Sequence, residues 1–160
     1  MNQHTTSPDT DTGEAVKPFA KYRAHRLDGD HLYISGQVAF ADGGFPLRGR
    51  VGAELTQDEG KRAARICALN VIAHAEEILG SSEHVRAVLK ITVFVSTAPD
   101  FLSHHLVADG ASEAFVERLG VAGEHSRSAV GVARLPMDSP VEVEAVLLID
   151  GSAVQESGTT

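Results

Sequence analysis

Three charged residues stand out on a mostly apolar stretch of this 160-residue chain: Arg127, Glu142 and Glu144, within HSRSAVGVARLPMDSPVEVEAVLLI at residues 125–149. A planar guanidinium can grip a carboxylate through two parallel, charge-assisted hydrogen bonds, a geometry that an ammonium does not reproduce. A carboxylate nearby can position a water molecule and relay protons. The same residue types also have plain structural uses: an arginine near a strand end is commonly a solvated edge charge, and paired glutamates on a strand commonly face water. Gly36 is of interest for a different reason. It interrupts the strand-forming run HLYISGQV at residues 31–38, and a missing side chain weakens a sheet unless a bulge or a closely approaching ligand needs the room.

The elements that must position these residues can be read from periodicity. Val130 and Val132 alternate with smaller residues before Leu135-Pro136, and Val141, Val143, Ala145, Leu147 and Ile149 then alternate strictly. This pattern predicts two strands joined as a hairpin, with Glu142 and Glu144 on one face. Near the other end, residues 22–27 form a strand candidate that turns at Asp28-Gly29-Asp30 into a second strand at residues 31–38. A short strand is expected near residues 48–51. Thr56-Gln57-Asp58-Glu59 matches a capping box and opens a long amphipathic helix, with Ile66, Leu69, Ile72 and Leu79 on its apolar stripe and Gly80 as its stop. Residues 85–96 read as the strongest strand, Leu89, Ile91, Val93 and Val95 pointing one way. A second helix reaches about Leu119, and Asp109-Gly110 either splits it or leaves one weakened helix. Together these elements predict an α+β fold, a mixed sheet with two helices on one face. Val130, Val132, Val146 and Leu148 are then left on the uncovered face, where oligomerisation would bury them.

Length and 42% hydrophobic content suit one domain at residues 17–150, flanked by polar segments at 1–16 and 151–160 that are expected to be disordered tails. The single cysteine, Cys67, cannot form an internal disulfide and lies on an apolar helical face, which favours a core role over a nucleophilic one. The N-terminus has no apolar signal-like region and no window is long and apolar enough to span a membrane, so a cytoplasmic protein is expected. The formal charge is −8, and Asp9, Asp11, Glu14 and Glu156 carry four of those charges in the tails, leaving −4 for residues 15–150. That balance speaks against a nucleic-acid partner. Seven histidines fall in the expected domain, but their spacings make no metal-ligand set, so no metal is expected.

Several separated segments, taken in order, resemble the RidA/YjgF family of reactive intermediate deaminases: Tyr22 thirteen residues before Ser35 in an ISGQ strand, VFV at residues 93–95, RSAVGVARLP from Arg127, and VEVEA from Val141. The resemblance covers roughly residues 19–149. It implies a chorismate-mutase-like fold, a homotrimer with three intersubunit clefts, and hydrolysis of 2-imino or enamine acids such as 2-aminoacrylate to 2-oxo acids and ammonia. It further implies Arg127 as the carboxylate anchor and Glu142 as the water-handling residue. Tyr22, Ser35 and Gly36 would meet the ligand, together with Asp109 and Ala129. The last two depart from the family pattern, standing where asparagine and cysteine are common. No cofactor is needed, because the reactive C=N bond arrives already formed. Two other readings stay open: a non-catalytic trimeric module that binds small carboxylates, and an endoribonuclease, the latter disfavoured by the acidic balance.

Overall fold

The computed structural model describes residues 13–15, 17 and 21–154, so most of the expected N-terminal tail and the last six residues lie outside the described residues. Strands β1 (His25–Asp28) and β2 (His31–Val38) form the first hairpin, Asp28 facing His31 across the Gly29-Asp30 turn. β1 is shorter than expected, and in place of a strand near residues 48–51 there is an isolated bridge from Val51 to Thr97. Helix α1 (Gln57–Leu79) starts at the capping box foreseen in the sequence: Thr56 Oγ1 accepts from the Glu59 amide, and the Glu59 carboxylate accepts from the Thr56 amide. It ends at Gly80, whose φ of 81° suits a residue without Cβ.

The sheet continues with β3 (Val85–Ser96), β4 (Ser126–Val132) and β5 (Val141–Ile149), and helix α2 (His104–Leu119) connects β3 to β4. Strand order is β1-β2-β5-β3-β4, with β3 and β4 parallel and the other neighbours antiparallel. The hairpin expected at residues 125–149 is therefore absent: β3 lies between β4 and β5. The reason is burial. β5 presents Val141, Val143, Ala145, Leu147 and Ile149, each at most 3% exposed, and so takes a central place. β4 carries Ser126, Arg127, Ser128 and Gly131, and such a strand suits the edge.

Both helices pack on one face, as expected. Small residues of α1 with no exposed surface, including Ala63, Ala64, Cys67, Ala68 and Ala75, let it sit close to the sheet. Asn70 is buried and fully used: its side-chain amide donates to the carbonyls of Val38 and Phe40 and accepts from the Glu14 amide. α2 runs unbroken through Gly110, because a Cβ there would strike the Lys61 carbonyl of α1; this glycine is a point of close helix contact. β3 contains a bulge near Val88 and Lys90 that turns Leu89 outward, 38% exposed, and puts Val88 in the core in its place. Beyond β5, residues 151–153 form a 3-10 turn, and Ala153 and Val154 pack on the core. On the uncovered face, Tyr33 is 45% and Val130 40% exposed. Among the described residues no helix is long and apolar enough to cross a membrane.

Candidate functional site

Arg127 lies on β4 in register with the fully buried Ile91 of β3, so its side chain leaves the sheet on the helical side, beneath α2. There Nη1 donates to Asp109 Oδ1 at 3.0 Å and to Ser112 Oγ at 2.9 Å, and Nη2 donates to the His105 carbonyl at 3.2 Å. All three acceptors belong to α2. The arginine side chain is only 22% exposed, so it is held rather than loosely solvated. Of its five N–H donors, the one on Nε and one of the two on Nη2 have no partner among the described residues.

Ser112 is itself fixed. His125 Nδ1 sits 2.6 Å from the Gly123 carbonyl, which only an N–H can satisfy, so Nε2 is left to accept from Ser112 Oγ–H at 2.9 Å. The hydroxyl hydrogen is thereby committed to His125, and its lone pair faces Arg127. Phe115 stacks edge-on against the imidazole, with ring centroids 5.7 Å apart. Neither Ser112 nor the His125 contact was anticipated from sequence, although Ser112 stands three residues after Asp109 and His125 two residues before Arg127. Ala129, two residues beyond Arg127, packs against the core on the same face.

Glu142 is elsewhere. It pairs with Phe94 of β3 and Val38 of β2 and shares the open face with Glu144, as the alternation predicted. Arg127 and Glu142 thus stand on opposite faces, two strands across and three residues along, on the order of 14 Å apart by strand geometry. Burial raises the Glu142 carboxyl above its ordinary range, and the like charge of Glu144 adds to the effect. Gly36 sits in a bulge between Ile34 and Gln37, and a Cβ at that position would overlap the Glu142 carboxylate. The space left by the missing side chain is filled by this carboxylate. Ser35 Oγ donates to the Arg23 carbonyl at 2.8 Å, and Tyr22 nearby in sequence is 52% exposed. A cavity of about 280 Å³ opens beside this group, lined by Arg26, Tyr33, Ser35, Lys90, Thr92 and Glu144 among others.

One chain therefore carries two separate clusters: Arg127, Asp109 and Ala129 under α2, and Ser35, Gly36 and Glu142 on the open side with Tyr22 toward β1. Cys67 belongs to neither. It is fully buried, its thiol lies 3.3 Å from the Val141 carbonyl, and burial pushes its pKa well up, with the Glu142 charge adding to the effect. Among the described residues no three His, Cys, Asp or Glu side chains are grouped so as to hold a metal ion.

Comparison with known proteins places these features in context. A family model described as YjgF/chorismate-mutase-like, a description that also carries the word endoribonuclease, matches residues 8–147. Protein TCP17 of Trypanosoma cruzi is 40% identical over 134 residues, 83% of this chain and 84% of that one. The crystal structure of Atu1372 from Agrobacterium tumefaciens, a protein of unknown function, has a TM-score of 0.79 at 38% identity, covering 82% of this chain and 83% of that one. The structure of TdcF from E. coli with bound serine has a TM-score of 0.60 at 27% identity, covering 88% and 94%.

Proposed function

From the premise that the chain belongs to the YjgF/chorismate-mutase-like (RidA) family, we propose that it hydrolyses small 2-imino acids, formed from enamines such as 2-aminoacrylate, to 2-oxo acids and ammonia in clefts between the subunits of a homotrimer. The observation that carries this reading is the held guanidinium of Arg127, which keeps N–H donors on Nε and Nη2 without a partner among the described residues and so able to meet a carboxylate. A neighbouring copy would bring its Glu142, Gly36, Ser35 and Tyr22 to face that edge, since within one chain the two clusters stand on opposite faces of the sheet. The exposed Leu102 and Leu106 at the start of α2, 81% and 39% exposed, give such a neighbour apolar surface to cover.

With the substrate carboxylate on Arg127, Glu142 accepts a proton from water as the oxygen adds to the imine carbon. Glu142 returns that proton to the nitrogen of the carbinolamine, the C–N bond breaks as ammonia leaves, and the again ionised Glu142 takes the hydroxyl proton as the C=O bond of the 2-oxo acid forms, passing it on to the departing ammonia. A carboxyl whose pKa burial has raised suits both steps. Serine bound to TdcF is an amino acid with the same carboxylate, which agrees with this ligand class. The test is release of 2-oxo acid and ammonia from freshly generated 2-aminoacrylate. Arg127→Ala should lower kcat/KM by about two orders of magnitude or more, the loss of a charge-assisted bidentate anchor; turnover at the buffer rate by the unaltered protein overturns the proposal.

One observation favours a second reading. An aspartate, Asp109, pairs with Nη1 of Arg127 where asparagine is common in the family, and in this second reading the trimer binds small acids without turning them over. Binding of 2-oxo acids with no turnover would select this reading. The endoribonuclease sense of the family description finds little support in an acidic chain.

A further inference from the structure

We propose that Asp109 sets the charge type of ligand that Arg127 accepts, so that the site favours a carboxylate bearing a cationic nitrogen, an iminium or ammonium, over a carboxylate of equal size without one. The inference rests on the reading of Arg127 as the carboxylate anchor.

Asp109 Oδ1 lies 3.0 Å from Nη1, while the Nε–H and one Nη2–H have no partner among the described residues, so the aspartate neutralises the arginine and still leaves it donors for a ligand. The pair has no net charge before a ligand arrives. Lys61 of α1, which lies within Coulombic reach of Asp109, is itself paired with Glu113 at 2.7 Å. A bare anion entering this neighbourhood meets the Arg127 fork but also the Asp109 charge, and the two contributions oppose each other. A zwitterion meets both favourably: its carboxylate takes the fork, and its nitrogen lies within Coulombic range of an aspartate that is 42% exposed and has its second oxygen free of protein partners among the described residues. For the proposed reaction the consequence is directional. The protonated imine is held, and the 2-oxo acid, which has lost its cationic nitrogen, is released.

The experiment is calorimetric titration of the full-length protein with alanine and with lactate, which share carbon skeleton and carboxylate and differ in ammonium against hydroxyl. The unaltered protein should bind alanine about three- to tenfold more tightly than lactate, the size expected of one partly exposed charge pair. Salt should shrink that ratio. Asp109→Asn should bring the ratio to about one by strengthening lactate binding, and Asp109→Glu should restore the preference, with thermal melts showing both variants folded. A ratio that Asp109→Asn leaves unchanged, or binding of neither probe, overturns the inference. Turnover of 2-aminoacrylate with an unchanged ratio sinks this inference alone; a shifted ratio without turnover sinks the deaminase reading and leaves the charge preference standing.

Discussion

At the scale of single residues, the two charges that matter most are handled in opposite ways. Arg127 keeps its charge in a half-buried place because α2 supplies a carboxylate, a hydroxyl and a backbone carbonyl to three of its five donors. Among the described residues Glu142 has no ion-pair partner; burial first and Glu144 second push its carboxyl upward. A raised carboxyl binds protons more readily folded than unfolded, so its contribution to stability is present below the ordinary carboxylate range and is lost as pH rises through its folded value. Removing the like charge with Glu144→Gln lowers the Glu142 pKa while leaving the burial effect. The limb of the kcat/KM profile that reports Glu142 should then move to lower pH, and Glu142→Gln should abolish that limb. A profile identical in Glu144→Gln and the unaltered protein would mean that another group titrates.

Elements are decided by how their faces are covered. The capping box at Thr56, the Gly80 stop, the 31–38 strand and the one-sided pair of glutamates were all legible, because each depends on neighbours within about four residues. Gly110 was legible only as a breaker. Its actual role depends on α1, whose Lys61 carbonyl leaves no space for a Cβ. Gly110→Ala should therefore destabilise the fold by about 1–3 kcal/mol through overpacking, outweighing the roughly 1 kcal/mol that alanine gains over glycine in a helix. Urea unfolding monitored by circular dichroism measures this, and a stabilised variant would show that the two helices part easily. The outward turn of Leu89 has the same kind of cause: a bulge shifts the β3 alternation by one residue, and periodicity alone does not locate a bulge.

For the whole molecule, the proposed site, with its two clusters on opposite faces of one sheet, requires an assembly, and the uncovered face with Tyr33, Val130 and the half-buried Val146 offers surface for one. Sedimentation equilibrium should return three times the 16.9 kDa chain mass, and Val146→Lys on that face should lower both the mass and the turnover. A monomer with full turnover would contradict the shared cleft. The sequence by itself determined the α+β class, the two helices on one face of a mixed sheet, and the residues worth testing, since hydrophobic period, caps and separated motifs are local properties of a chain. It did not determine that β5 inserts between β2 and β3, that Ser112, fixed by His125, meets Arg127, or that Arg127 and Glu142 part to opposite faces. Those outcomes follow from which strand gains most by being buried on both edges and from which helix then lies above the edge strand, a competition among distant segments that only the folded chain resolves.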